Sequence, residues 1–315
     1  MTEKIKLVSV VGPTASGKTG LSVELAKRFD GEVVSADSMQ IYKGMRIATA
    51  KPTMEERQGI PHHLMGFLPP DESYSVARFV EDAGNAVADI ASRGKLPFLV
   101  GGTGLYVDSL LNNVVFSDEK RDEALSEALW EKYRAEGIGS LLDELRTTDS
   151  VTFEKLKTER NPKRIIRAVE YYRTSGHPIS EQVAASRLTE SPYQAVKLGL
   201  NFRDRAKLYE RINRRVDLML EEGLLEEAKE VLSSALSFTS VKAIGYKELI
   251  PYFENEATLE ACIEKLKQET MRYAKRQITW FKRDKDIHWF YLDEEPDFDT
   301  LLEKTVQMIK GSLYG

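Results

Sequence analysis

The stretch that most limits what this chain can become is Lys6-Leu7-Val8-Ser9-Val10-Val11-Gly12-Pro13-Thr14-Ala15-Ser16-Gly17-Lys18-Thr19. An apolar β-type run leads into Gly12 and Gly17-Lys18-Thr19, and helical spacing follows from Leu21 to Phe29, so the order is strand, glycine loop, helix. That order and spacing form a P-loop. The glycines let backbone N–H groups turn inward, the positive end of the following helix points at the same place, and Lys18 supplies a counter-charge for two adjacent phosphates. Thr19 can offer its hydroxyl to Mg²⁺. The motif specifies a diphosphate ligand held by Gly12 to Thr19 and leaves the reaction open.

Further buried runs read as neighbouring strands. Glu32-Val33-Val34-Ser35-Ala36-Asp37-Ser38 ends in an acid, Pro97-Phe98-Leu99-Val100 runs into Gly101-Gly102-Thr103-Gly104, and Ala195 to Asn201 returns the chain to the sheet after a long helical stretch. Ligands of a parallel α/β sheet sit beyond the carboxyl ends of its strands, so Asp37 should face the P-loop crevice. A carboxylate beside phosphates binds Mg²⁺ or takes a proton from a substrate; an Asp that caps the next turn is the alternative. Where a P-loop kinase commonly places a Mg²⁺-organising Asp, the strand ending at Val100 is followed by glycines and Thr103. The glycines suggest a close approach of backbone to ligand. Thr103 either donates to a phosphate oxygen, positions an acceptor, or caps the helix begun at Leu105. His62 and His63 point to opposite faces of a strand with no Cys or acid at ligand spacing nearby, which favours a structural or hydrogen-bonding role.

From Ser117 the texture changes to charged helical stretches over Glu119 to Glu136, Gly139 to Arg146, Ser150 to Lys157 and Asn161 to Thr174. The expected organisation is therefore a first core part over 1–116, a helical insertion over 117–197 and a second core part over 198–315. Lys155, Lys157, Arg160, Lys163, Arg164 and Arg167 make a basic cluster in the insertion against Glu154 and Glu159. Downstream, Arg211 and Arg215 share one face of a helix beginning near Asp204, suited to clamping phosphate. Between Gln268 and Arg283, Met271, Ala274, Ile278 and Phe281 form an inward stripe, with Arg272, Lys275, Arg276, Thr279 and Arg283 outward. Tyr273 and Trp280, interleaved with these bases, suit base stacking beside RNA backbone contacts. A formal net charge of -5 excludes a wholly basic nucleic-acid binder, so any such contact must come from these local patches. The one cysteine, Cys262, allows no internal disulfide and reads as a small buried residue. Without a signal peptide or a run of membrane-spanning length, a cytoplasmic monomer with no membrane contact is expected.

With these residues assembled, the chain closely resembles the bacterial tRNA dimethylallyltransferases, also called tRNA isopentenyltransferases. The resemblance rests on Gly12 to Thr19, Ala36-Asp37-Ser38-Met39-Gln40-Ile41-Tyr42, Val100-Gly101-Gly102-Thr103-Gly104-Leu105-Tyr106, Asn161-Pro162-Lys163-Arg164, Ala243-Ile244-Gly245-Tyr246-Lys247 and Lys275 to Phe281. It implies an α/β fold, a P-loop NTPase-like parallel sheet core with a helical insertion domain that holds the tRNA anticodon arm. It also implies transfer of a dimethylallyl group from its diphosphate to the exocyclic 6-amino group of the adenosine 3′ of the anticodon, with Mg²⁺ as cofactor. The residues it assigns to catalysis are Asp37, Thr103, Lys18 and Arg215. Those it assigns to tRNA are Asp37, Ser38, Met39, Gln40, Thr103, Asn161, Pro162, Lys163, Arg164, Ile165, Lys275, Arg276 and Gln277. Arg46, Ala48 and Gly66 depart from the family pattern, which expects an acid, a glycine and an acid. Other readings of the P-loop are a small-molecule or nucleotide kinase, a nucleotide-switched RNA-binding protein, and an adenylate isopentenyltransferase acting on free AMP. The missing strand-end acid speaks against the first, the Asp37 and Thr103 pair against the second, and the insertion with the basic C-terminal segment against the third.

Overall fold

Strand β1 (Ile5–Val11) alternates in a way that needs cover on both sides: Leu7 and Val11 belong to one apolar cluster, Val8 and Val10 to another, and all four are buried. Such a strand belongs in the middle of a parallel sheet. The computed structural model describes residues 3–114, 122–159, 161–188, 190–234, 236–237 and 240–315. Among them β1 is joined by β2 (Gly31–Ser35), β3 (His62–His63), β4 (Leu96–Gly101), β5 (Tyr193–Asn201) and β6 (Ile287–Tyr291), all parallel in the order β3-β2-β4-β1-β5-β6. β1 pairs with β4 from Val8 opposite Phe98 to Val11 opposite Gly101, and with β5 from Ile5 opposite Tyr193 to Val11 opposite Gly199. This α/β sheet is the P-loop core expected from the sequence.

The core carries α1 (Lys18–Arg28), α2 (Met54–Arg57), α3 (Val76–Ser92) and α4 (Gly104–Leu111). The chain then leaves the sheet for α5 (Glu123–Glu136), α6 (Gly139–Thr148), α7 (Ser150–Leu156), α8 (Pro162–Ser175) and α9 (Ile179–Leu188), and returns through α10 (Arg205–Glu221), α11 (Leu224–Ser233), α12 (Ile250–Phe253), α13 (Leu259–Phe281) and α14 (Phe298–Leu313). Residues of α1 and α14 cover one face of the sheet with Val8, Val10, Phe98 and Leu198. Residues of α3, α4, α11 and α13 cover the other with Leu7, Val11, Val34 and Leu99. Two compact units result, Met1–Leu111 with Pro192–Gly315, and Asn112–Ser191. Within the second, Leu129, Leu141, Leu145, Ile165 and Val169 form a separate apolar centre.

Two expectations move. The sheet resumes at Tyr193, two residues before the expected Ala195, because Tyr193 and Gln194 already pair with Ile5 and Lys6. β2 stops at Ser35, so Asp37 stands in the turn beyond the strand instead of at its last residue. Ser117 and the start of the helix expected from Glu119 lie outside the described residues.

The glycine run after β4 has a different cause from the one expected. A Cβ on Gly101 would lie 2.1 Å from the Ala36 carbonyl oxygen, one on Gly102 would meet the Gln277 amide at 2.0 Å, and one on Gly104 would meet the Trp280 ring at 2.2 Å. The neighbours that demand glycine are the turn after β2 and helix α13, parts of the protein itself. At Gly101 the obstruction is backbone, which cannot swing away as a side-chain end can. Gly101→Ala should therefore cost on the order of 3 kcal/mol, read as a lower urea midpoint with an unchanged slope.

Candidate active site

Gly12 leaves β1 at φ 146°, and Ala15 and Gly17 follow at φ 62° and 81°, so the loop curls its backbone N–H groups inward. A Cβ on Gly12 would stand 2.3 Å from the Leu200 carbonyl oxygen, which makes glycine obligatory there. Helix α1 starts at Lys18 with Gly17 as its N-cap and no side chain accepting from its first turn. The N–H groups that a Ser or Asp cap would normally satisfy stay open to an anion. The Ser16 hydroxyl is buried in the same loop and has no hydrogen-bond partner. An uncapped helix end, inward amides and an orphaned hydroxyl are what a bound diphosphate would complete.

Helices from far along the chain hold this loop. From α13, Gln277 accepts from the Thr14 N–H at 2.8 Å and donates its amide to the Gly102 carbonyl at 3.0 Å. From α10, Arg215 donates to the Thr14 hydroxyl at 3.0 Å and Arg211 to the Ala15 carbonyl at 2.9 Å. The expected pairing of Arg211 and Arg215 on one face is thus directed at the loop itself. Lys18 folds back onto the Gly12 and Pro13 carbonyls at 3.0 and 2.7 Å. Burial pushes its ammonium down to about 7, the neighbouring Arg215 adds to this, and Asp37 opposes it. Burial likewise lowers Arg215, with Asp37 the largest opposing charge. Asp37, Lys18 and Arg215 therefore act on one another across a single cavity.

That cavity, of about 950 Å³, is lined by Thr14 to Thr19, Asp37 to Gln40, Arg46 to Thr53, Arg215, Tyr273 and Gln277. Asp37 Oδ1 accepts from the Met39 and Gln40 N–H groups at 2.9 and 3.4 Å, capping its own turn. Among the described residues no donor reaches Oδ2. Thr103 accepts the Ser38 N–H at 3.0 Å, and its carbonyl accepts from Tyr106 to open α4, so its side chain ties β4 to the Asp37 turn rather than capping the helix. Ser38 also meets the Thr103 hydroxyl through its own, at 3.4 Å. Gln40 donates to the Thr49 and Ala50 carbonyls at 3.2 and 3.1 Å. Thr19 lines the cavity at the first turn of α1. Tyr273, expected to stack on a base, also turns to the cavity beside Thr103 and Gln277; burial raises its phenol, and the Asp37 charge raises it further.

Other residues singled out in the sequence lie elsewhere. Ile165 is fully buried in the apolar centre of the insertion, and Asn161 accepts the Lys163 N–H at 3.2 Å as the cap of α8, with Pro162 at its first turn. Lys163 is exposed, while Arg164 pairs with Glu159 at 2.6 Å and Arg167 with Glu170 at 3.4 Å. Lys157 pairs with Glu154 at 2.5 Å, and Arg160 lies outside the described residues. On α13, Lys275 and Arg276 are exposed and Arg272 pairs with Glu269. Trp280, the other expected stacking platform, is used by the protein: its indole donates to Asp108 at 2.7 Å and the Arg283 guanidinium covers its ring at 4.0 Å. His62 bonds the Ile60 carbonyl and His63 bonds Glu32, each at 2.8 Å.

The low Lys18 value has a measurable consequence. An anion on the loop favours the ammonium, so binding draws a proton to Lys18 when the pH lies above about 7. The Lys18 contribution to diphosphate affinity should be fully present below that pH and fall as pH rises through it. Titration calorimetry in two buffers of different ionisation enthalpy should record proton uptake near pH 8; no uptake would mean Lys18 is already charged.

A family profile described as IPP transferase matches residues 40–284, and one described as isopentenyl transferase matches residues 5–64. A tRNA dimethylallyltransferase from Thermoanaerobacter sp. (strain X514) is 44% identical over 312 residues, 98% of this chain and 99% of that protein. One from Halalkalibacterium halodurans is 45% identical over 311 residues, 98% of each. The crystal structure of the full-length tRNA isopentenylpyrophosphate transferase from Bacillus halodurans, 44% identical, covers 98% of this chain and 97% of its own with a TM-score of 0.74. A eukaryotic dimethylallyltransferase acting on tRNA, 31% identical, covers 96% of this chain and 77% of its own with a TM-score of 0.82. With the profile spanning most of the chain and relatives of this identity aligned end to end, this protein belongs to the IPP transferase family.

Proposed function

We propose that the protein is a cytoplasmic tRNA dimethylallyltransferase. It transfers the dimethylallyl group of dimethylallyl diphosphate to the exocyclic 6-amino group of the adenosine 3′ of the anticodon, in tRNAs reading codons that begin with U. Diphosphate is released. The observation that carries this reading is the shared cavity: an anion loop with unsatisfied amides on one side and a carboxylate with one open oxygen, Asp37, on the other.

Breaking an allylic carbon–oxygen bond builds negative charge on the leaving diphosphate and positive charge on carbon. The loop amides, Lys18 and Arg215 stabilise the leaving group as that charge grows. The residues fit Mg²⁺, a hard cation that takes few protein ligands and prefers oxygen: the Thr19 hydroxyl lies on the cavity in the first turn of α1. Bound through the Thr19 hydroxyl and phosphate oxygens, Mg²⁺ would supply charge neutralisation at the diphosphate. The adenine amine is a poor nucleophile because its lone pair is delocalised into the ring, and it must lose a proton as the new bond forms. Asp37 accepts that proton on Oδ2, while its Oδ1, the Ser38 turn and Thr103 hold the carboxylate still.

The adenine must leave the anticodon loop stack to reach such a cavity. We assign backbone contacts to Lys163, Arg164 and Arg167 on α8 and to Arg272, Lys275, Arg276 and Arg283 on α13. The ion pairs of Arg164 and Arg272 lie at the surface, are each worth only about 0–1 kcal/mol and exchange readily for phosphate, whereas Arg167 pairs with the buried Glu170.

The assay that tests the reading offers labelled dimethylallyl diphosphate with unmodified tRNA or with AMP at matched concentration. Label should enter tRNA, in an amount that falls steeply with salt because several phosphates are neutralised. Label entering AMP alone would overturn the RNA assignment, and ATP turnover with a small-molecule acceptor would favour a kinase. Asp37→Asn preserves the Oδ1 cap and removes the base, so single-turnover transfer should drop on the order of 10²-fold or more while diphosphate binding is retained. A parental rate would leave Asp37 a turn cap.

A further inference from the structure

One wall of the cavity is the segment from Arg46 to Lys51, and it is built around a single side chain from another element. Glu227, in the first turn of α11, receives the Arg46 N–H on Oε2 at 3.0 Å, the Ile47 N–H on both oxygens at 2.8 Å and the Ala48 N–H on Oε1 at 3.0 Å. The buried Tyr246 hydroxyl adds a fourth donor on Oε1 at 2.8 Å. A carboxylate at a helix start is ordinarily explained by the helix dipole alone. Three consecutive backbone N–H groups converging on it form an anion nest that the protein fills with its own charge.

The far side of the same segment reaches the catalytic turn. Thr49 and Ala50, the next two residues, present their carbonyls to the Gln40 amide, and the Gln40 N–H is one of the donors to Asp37 Oδ1. The P-loop has separate supports in Gln277, Arg211 and Arg215. We propose that Glu227 is a positioning residue for transfer: by gathering the N–H groups of Arg46, Ile47 and Ala48 it sets the cavity wall that, through Gln40, holds Asp37 against the acceptor amine. The inference rests on the transferase reading and assigns Glu227 no contact with either substrate.

The carboxylate can be replaced by a group of the same size that presents donors to donors. In E227Q the amide nitrogen faces N–H groups on one side, so the nest opens while α11 keeps its packing. The expected result is a single-turnover transfer constant, at saturating tRNA and dimethylallyl diphosphate, lowered about 10- to 100-fold, since small misplacements of a reacting group cost rate on that scale. Diphosphate should still bind one per chain with an affinity within about 2-fold of the parent, because the P-loop supports are untouched. E227D, which keeps the charge on a shorter arm, should recover part of the rate, and it carries the same comparison if E227Q does not fold. A structural role alone would reduce the active fraction and leave the rate constant of the remaining molecules unchanged; that result, or a parallel loss of diphosphate affinity, overturns the proposal. A parent that labels no tRNA at all would instead overturn the transferase reading.

Discussion

The structure depends on backbone N–H groups at the end of β1 that the protein leaves unsatisfied. Gly17 caps α1 with no side chain, Ser16 has a buried hydroxyl without a partner, and the loop between them and Gly12 is twisted into positive φ. Such a site holds its shape only if something outside it does the holding. That task falls to Gln277, Arg211 and Arg215, which engage the loop's outward groups and leave the inward ones for a ligand.

The sheet converts this local arrangement into a reaction chamber. β1 lies between β4 and β5, and β2 is the next strand beyond β4, so the segments leaving β1, β2 and β4 emerge on one edge. The P-loop, the Asp37 turn and Thr103 are those three segments. Thr103 stitches the second to the third through the Ser38 N–H, and Gly101 lets the Ala36 backbone approach β4 closely enough for that bond to form. Steric permission at a glycine thus becomes the orientation of a carboxylate.

The charges in the cavity are arranged by consequence as well as by proximity. Burial lowers Lys18 and Arg215, and the Asp37 carboxylate opposes both shifts. A bound diphosphate would satisfy the cations more fully than Asp37 does and leave the carboxylate to act on the acceptor. Two charges that neutralise each other before substrate arrives can separate into a leaving-group clamp and a base once it does.

Much of this was legible in the chain because it is written in local patterns. The P-loop is a contiguous spacing, and the strands are short apolar runs. Asp37 and Thr103 followed from the rule that ligands gather beyond strand ends. The parts that were not legible are contacts between distant elements. Gln277 carried only an expected tRNA contact, and its bond to Thr14, 263 residues away, shows that it braces the loop. Trp280 looked like a stacking platform until Gly104 and Asp108 claimed it, and Ile165 sat in an RNA-contact motif although the bundle core needs it. Glu227 carried no signal beyond a helix start, since its nest is made by backbone 179 to 181 residues away. The sequence by itself determined the ligand class and the order of elements, because backbone conformation and periodicity act over a few residues. The tertiary structure alone decided which side chains face the cavity and which hold its walls, because that depends on which donors and acceptors the folded sheet brings within about 3 Å of one another.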